Sequence, residues 1–164
     1  MTGRKVKRAG GANAASGEAP QPMAELMGCT CQRLRKATRR VTQIYEGFLA
    51  PVGLTSPQFG LLANLAARDD VSMNELAERL VTDPTTLNRN LKPLEKAGYL
   101  KIDSGSDDRR RRRIALTERG RQTFERAIPL WRQAQQHLEA VLGRKDLEAL
   151  NDALSRSLRS LTRQ

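Results

Sequence analysis

Apolar positions recur every three or four residues over most of the chain, which predicts a mainly helical protein. Outer helices are predicted at about residues 29–50 and 117–162, and another helix begins at Thr55, which has capping-box spacing with Gln58. The apolar positions of the outer helices are Leu34, Ala37, Val41, Ile44 and Phe48 in the first, Phe124, Ala127, Trp131, Ala134, Leu138 and Val141 in the next, and Leu147, Leu150, Leu154, Leu158 and Leu161 after Gly143.

Two shorter helices follow each other in the middle of the chain. Ser72 and Glu75 have the spacing of a capping box, which predicts the start of one helix. Asp83 followed by Pro84 predicts the start of the next, and Gly98 predicts its end. Two short helices joined by a tight turn describe a helix-turn-helix unit.

The segment after Gly98 alternates in polarity as a β-hairpin does. "YLKID" and "RRRRRIALT" predict two short strands, joined by the turn "SGSDD". Ile114 and Leu116 share one face of the second strand, and Arg113 lies on the other. The five consecutive arginines, Arg109 to Arg113, therefore belong to a hairpin and not to a tail. The pattern predicts a winged helix-turn-helix over about residues 55–117.

Charge then narrows the class of partner. The chain has 164 residues and a formal net charge of +11, which favours nucleic acid ahead of an anionic membrane. A basic surface that only aids solubility is the alternative. No apolar run is long enough to span a membrane, no secretory signal is present, and two cysteines form no disulfide framework, so a cytoplasmic protein is expected.

The first residues differ in composition from the rest. Residues 1–22 are small, polar and interrupted by Gly and Pro, which predicts a flexible basic arm before a domain over residues 23–164. The arm could add phosphate contacts or be an inert solubilising tail.

One face of the helix that begins at Asp83 is suited to DNA. At about 100° per residue, Leu87, Leu91 and Leu94 share one face, and polar side chains share the other. In a major groove Arg bonds guanine, Asn bonds adenine, and Thr contacts a thymine methyl group or a phosphate. An ordinary solvent-exposed face is the alternative, and Pro93 predicts a local bend. The predicted contacts are Thr85, Thr86, Asn88, Arg89 and Lys92.

The hairpin supplies a second predicted set of DNA contacts. Asp108 is expected to orient the guanidinium of Arg110 at the tip, where an arginine suits a narrow minor groove. The remaining arginines are expected to meet backbone phosphates. A solvated strand face is the alternative for Arg109, Arg111 and Arg113.

Together, "LTSPQFGLLANLA", "SMNELAERL", "TDPTTLNRNLKPLEKAGYL" and "DDRRRRRIALTERG" resemble the multiple antibiotic resistance regulator (MarR) family. The resemblance covers about Cys29 to Leu161. It implies a homodimeric winged-helix transcription factor, usually a repressor, that a small ligand or oxidation releases from a palindromic operator. The wing signature of the family falls on Asp108, Arg110, Leu116, Thr117 and Gly120.

The outer helices are expected to form the dimer. Their apolar stripes exceed what a small winged helix can cover, and pairing two chains there sets two recognition helices on one DNA face. A bundle within one chain is the alternative. The family resemblance implies a ligand pocket at the helices that carry Tyr45, Phe59 and Trp131, and an anionic or aromatic metabolite is the expected effector.

Other candidate chemistry is sparse. Cys29 and Cys31 lie at a helix start near arginines, which favours a thiolate and a redox or thiol-ligand sensor; packing at the dimer interface is the alternative. His137 has no nucleophile near it in sequence and is expected to be a packing or surface residue. An enzyme, a metal site and a cofactor are therefore not expected. A non-specific nucleoid-type DNA binder remains a further alternative.

Overall fold

A computed structural model describes residues 28–68, 70–103 and 113–161 of the chain. These residues divide into two compact units, one up to Thr38 and one from Arg39 onward. The predicted basic arm, residues 1–22, lies outside the described residues, as do hairpin residues 104–112.

The described residues form six α-helices and three short strands. In chain order the elements are α1 (Thr30–Leu49), α2 (Ser56–Ala66), β1 (Val71–Ser72), α3 (Met73–Arg79), α4 (Pro84–Lys96), β2 (Leu100–Ile102), β3 (Arg113–Leu116), α5 (Glu118–Leu142) and α6 (Arg144–Leu161), with one 3₁₀ turn at Ala50–Val52. This order confirms the predicted fold class, mainly α with a small β element in winged helix-turn-helix order.

Local capping explains where α2 and α3 begin. The Thr55 hydroxyl accepts the N–H of Gln58, and the Gln58 side chain accepts the N–H of Thr55. Ser72 and Glu75 make the same reciprocal pair at the start of α3. Both capping boxes agree with the sequence prediction, because they depend only on residues three apart.

The sheet has one strand more than the predicted hairpin. All three strands are antiparallel in the order β1-β3-β2, so β3 is central. Ile114 of β3 pairs with Val71 on one side and with Ile102 on the other, and it is fully buried. The sequence did not predict β1, because a two-residue strand leaves no alternation to detect.

Leucines from the three short helices meet in one core. Leu62 of α2, Leu76 of α3 and Leu91 of α4 are each fully buried. Leu49 from the end of α1 and Ala127 of α5 complete the same cluster. Because the first helix of the helix-turn-helix unit contributes Leu76 and the second contributes Leu91, this core sets the orientation of α4.

The last helix buries little of its apolar stripe. Leu150, Leu154 and Leu161 on α6 are 44%, 37% and 69% exposed, and Val141 near the end of α5 is 62% exposed. Large apolar side chains are thus exposed along this helix, and its role in a dimer stays a prediction. No helix among the described residues has both the length and the apolar content to cross a membrane.

The wing joins α5 through a close backbone contact. A Cβ at Gly120 would lie 1.8 Å from the carbonyl oxygen of Tyr99, so only glycine fits there. The Thr117 hydroxyl accepts the Gly120 N–H at 3.0 Å and donates to the Gly98 carbonyl at 2.6 Å. The start of α5 is therefore tied to the end of α4.

We expect Gly120→Ala to lower the free energy of unfolding by about 3 kcal/mol, because the new methyl group meets backbone and not a mobile side chain. Gly60→Ala is the matched control: Gly60 also lies in a helix, but nothing lies within 4 Å of its Cβ position. It should raise stability by about 0.5–1 kcal/mol through helix propensity. Urea unfolding followed by circular dichroism measures both, and equal effects of the two variants would contradict the close contact.

Candidate nucleic-acid interface

Helix α4 has an apolar face that is buried and a polar face that is not. Leu87, Leu91 and Leu94 are 0–1% exposed. The predicted DNA contacts lie on the remaining surface, where Thr85, Arg89 and Lys92 are exposed and Thr86 and Asn88 are half-buried. The structure thus brings the five predicted side chains of this helix to one accessible surface.

A carboxylate cap fixes the start of α4. Asp83 Oδ1 accepts the backbone N–H of Thr86 at 2.9 Å, and Pro84 occupies the first turn. The hydrogen bond from Thr86 lowers the pKa of the Asp83 carboxyl below its usual value. The helix continues through Pro93 to Lys96, and the bend expected at Pro93 stays a prediction.

The turn between α3 and α4 contains a strained residue. Val81 has φ +50°, in the left-handed region that a β-branched residue rarely adopts, and its side chain is 73% exposed. Hydrogen bonds from the Val81 N–H to Glu78 and from the Thr82 N–H to Ala77 hold the turn. Such strain is more often found at functional segments than elsewhere.

The described part of the wing presents one arginine at its base. In β3, Arg113 is exposed and Ile114 is buried, as the alternation predicted. Arg113 forms an ion pair with Asp70, with 2.9 Å between Nε and Oδ2. The other predicted wing contacts, Asp108, Arg109, Arg110 and Arg111, lie outside the described residues, so their roles stay predictions.

Aromatic rings assemble where the effector was expected. The rings of Phe59 and Trp131 lie 6.1 Å apart and nearly parallel, and Phe124 lies 5.4 Å from Phe59. Tyr45 packs, as Phe59 and Phe124 do, against the buried hydrophobic core, and burial raises the pKa of its hydroxyl. The structure therefore brings Phe59 and Trp131 together and adds Phe124, which the sequence had assigned only to the packing face of its helix.

The cysteines and the histidine occupy accessible positions. Cys29 and Cys31 are exposed free thiols. Backbone N–H groups of Gln32 and Cys31 lower the pKa of the Cys29 thiol. The exposed His137 ring lies 5.7 Å from the Phe48 ring, in line with the packing or surface residue expected there. In the part of the chain that the structure describes, no group of three or more His, Cys, Asp or Glu residues is arranged to hold a metal ion.

Sequence patterns did not indicate the role of Asp70. It has φ +61° and lies immediately before β1, where its carboxylate meets Arg113 from a strand far along the chain. An aspartate tolerates the left-handed region better than most residues do. No local spacing signals such a pair, since its existence depends on β1 pairing with β3.

The fold and the polar face of α4 define a winged helix-turn-helix protein. The sequence model of the MarR family matches residues 52–111. A solved transcriptional repressor, CouR, bound to a 23-mer DNA duplex is similar with a TM-score of 0.72 and 30% identity, over 87% of this chain and 99% of that one. The chain belongs to the MarR family.

Other relatives agree with this assignment. The Mycobacterium tuberculosis transcriptional regulator MosR in complex with DNA is 36% identical, with a TM-score of 0.64 over 79% of this chain and 98% of that one. CouR has also been solved bound to p-coumaroyl-CoA, with 29% identity and a TM-score of 0.72 over 84% of this chain and 96% of that one. These proteins are named as regulators, in line with the expectation that the chain is not an enzyme.

An uncharacterised helix-turn-helix type transcriptional regulator of Bacillus cereus is 33% identical over 97 residues. The match covers 59% of this chain, and the chain spans 64% of the length of that relative.

The cap of α4 gives a test that depends on pH. Because folding depresses the pKa of the Asp83 carboxyl, the cap stabilises the fold above the ordinary aspartate pKa and loses that effect as the pH falls through the folded value. We expect Asp83→Ala to lower Tm by a few degrees at pH 7 and by less at pH 3. Asp83→Asn keeps a cap without a charge. Its Tm should therefore differ from the Tm of Asp83→Ala by the same amount at both pH values. Thermal melts measure all three, and a deficit of Asp83→Ala that does not shrink at low pH would contradict the carboxylate's role.

Proposed function

We propose that the protein is a sequence-specific, DNA-binding transcriptional regulator of the cytoplasm. It acts as a homodimeric repressor that binds a palindromic operator and is released by a small-molecule effector. The observation that carries this proposal is the division of α4, in which three leucines are buried while Thr85, Arg89 and Lys92 remain accessible. The DNA-bound CouR and MosR structures support it.

Base contacts are assigned to α4 by the chemistry of its outer face. Arg89 is exposed near the middle of the helix, and an arginine there suits the two acceptors of guanine. Asn88 suits adenine. Thr85 and Thr86 suit a phosphate or a thymine methyl group, and Lys92 suits a phosphate. The arginines of the wing, Arg109 to Arg111 with Asp108 orienting Arg110, are assigned to the backbone and the minor groove.

The dimer is assigned to the terminal helices. Leu150, Leu154 and Leu161 on α6, together with Val141, expose an apolar row that a second copy of the chain would cover. A dimer with a twofold axis through these helices contains two α4 helices. The two α4 helices would then enter successive major grooves of a palindrome. This arrangement requires two half-sites in the operator.

The effector is assigned to the aromatic group near α5. Phe59 stacks near Trp131, and both Phe59 and Tyr45 pack against the hydrophobic core. Such aromatic surroundings in a strongly basic protein suit an aromatic or anionic metabolite. The CouR structure with p-coumaroyl-CoA supports a ligand of this kind. A ligand that favours the DNA-incompetent arrangement by a few kcal/mol is enough to release an operator.

DNA selection from a random pool tests the specificity directly. We expect the wild-type protein to enrich a palindrome, and we expect Arg89→Ala to weaken binding to the enriched duplex by about 1–3 kcal/mol. Binding to a scrambled duplex should change much less.

Arg132→Ala is the matched control, because Arg132 is exposed on α5, outside the proposed interface. Equal losses on both duplexes would make Arg89 a phosphate contact, and a pool without enrichment would favour the nucleoid-type binder.

A redox-sensing repressor is the second candidate. It rests on the exposed thiols of Cys29 and Cys31 and on the lowered pKa of Cys29, which enlarges the thiolate fraction at neutral pH. A peroxide would convert that thiolate to a sulfenic acid, with the distal peroxide oxygen leaving as water. In this case the chemical change, and not a bound metabolite, would release the DNA.

Serine substitution separates the two candidates. We expect a variant with Cys29→Ser and Cys31→Ser to bind the enriched duplex as the wild type does and to remain bound after peroxide treatment. If the effector is a metabolite, peroxide leaves the wild type bound as well. A gel-shift titration with and without peroxide measures this. If peroxide releases only the wild type from DNA, the protein is a redox sensor, and the metabolite-released repressor is no longer the preferred function.

A further inference from the structure

Arg113 is the one member of the arginine run that lies among the described residues, and its side chain is engaged within the protein. Its Nε lies 2.9 Å from Oδ2 of Asp70. Its guanidinium also donates to the backbone carbonyl of Asp70. Two acceptors on the same residue hold the planar guanidinium in one orientation, which a single ion pair would not do.

The backbone of Arg113 is held as well. Its carbonyl accepts the N–H of Asp103 at 2.8 Å, which closes the last described pair of the β2–β3 hairpin. On its other side, Arg113 pairs with Ser72 of β1. We call Asp103 and Arg113 the wing base, since the remaining hairpin residues lie between them in sequence.

Asp70 is well placed to connect the wing base to the helix-turn-helix unit. It directly precedes β1, and Ser72 at the end of β1 is the N-cap of α3. The left-handed backbone of Asp70, with φ +61°, belongs to the residue whose carbonyl and carboxylate both meet Arg113. The Arg113 side chain therefore links the wing base to the segment that starts α3.

Charges around the pair favour the same arrangement. Hydrogen bonding to Asp70 and the nearby charge of Glu75 raise the pKa of the Arg113 guanidinium. Glu75 is itself held by Ser72 at the start of α3. Arg68 and Arg79 line the same cleft, so the carboxylates there are surrounded by positive charge.

The pair contributes little to global stability. The side chains of Arg113 and Asp70 are 46% and 57% exposed, and exposed ion pairs add little to folding free energy. What the contacts restrict is the orientation of the wing base relative to α3, which in turn packs against α4.

We infer that Arg113 is a positioning residue and not a phosphate contact: with Asp70 it holds the wing base against the start of α3, so that wing and recognition helix are aligned before DNA binds. The inference rests on the proposed DNA-binding function. The five arginines then differ in role, since the last of them, Arg113, makes contacts within the protein and does not contact the DNA.

The two possible roles of Arg113 predict opposite effects at Asp70. If Arg113 contacts a phosphate, Asp70 only weakens that contact, and neutralising its carboxylate would leave DNA binding unchanged or tighten it. If Arg113 is a positioning residue, neutralising Asp70 releases the wing base and weakens binding. Asp70→Asn is the suitable change, because asparagine tolerates the left-handed backbone and preserves the size of the side chain.

The experiment uses the full chain and a duplex that the wild type enriches from a random pool. Binding is measured by fluorescence anisotropy at several salt concentrations for Asp70→Asn, Arg113→Gln and the double variant. We expect each single variant to raise Kd by roughly three- to tenfold, and the double variant by no more than either single variant. The slope of log K against log salt should stay that of the wild type, because no phosphate contact is lost.

Asp152→Asn is the matched control, as it removes an exposed carboxylate on the polar side of α6. It should leave Kd unchanged, and all variants should melt within a few degrees of the wild type. Tighter or unchanged binding by Asp70→Asn would overturn the inference, as would a salt slope smaller by about 0.9 per lost phosphate contact in Arg113→Gln. A pool without an enriched duplex would instead reject the proposed function, and the inference with it.

Discussion

Burial of the three α4 leucines is the constraint on which the rest of the structure depends. Leu87, Leu91 and Leu94 are almost completely buried among the leucines of α2 and α3. Each such side chain stabilises the fold by about 1.5–3 kcal/mol relative to exposure, so α4 cannot rotate without losing the core. The polar face of α4 is outward for that reason, and side chains suited to base edges are accessible.

Short contacts also hold the wing, the recognition helix α4 and the start of α5 together. Gly98 ends α4, and its carbonyl accepts the Thr117 hydroxyl at the start of α5. Tyr99 packs its backbone on Gly120, and the Arg119 guanidinium lies 5.4 Å from the centre of its ring. Short contacts thus tie the start of α5 to the end of α4. Under the proposed function, an effector near Trp131 would act on DNA binding through these contacts.

Much of this fold follows from local sequence. The caps at Thr55, Ser72 and Asp83 and the glycine at the end of α4 involve residues a few positions apart, and the apolar periodicity identifies the buried faces. The polar face of α4 follows from the same periodicity.

What the sequence could not provide depends on distant pairing. Strand β1 has only two residues and exists because β3 lies beside it. The Asp70–Arg113 pair requires that strand pairing first, and the need for glycine at position 120 arises from the Tyr99 backbone and not from its own helix. Ring contacts such as that between Phe59 and Trp131 likewise join side chains far apart in sequence.

Chemical protection of guanine N7 in the DNA complex tests directly whether α4 recognises bases. Dimethyl sulfate methylates this atom in the major groove, where the outer face of α4 is assigned. Base recognition by two α4 helices predicts protected guanines in two half-sites about 10 base pairs apart, symmetric about the centre of the duplex that the protein selects. Protection of the sugar-phosphate backbone without any protected guanine N7 would contradict it, because the protein would then bind DNA without recognising bases through α4.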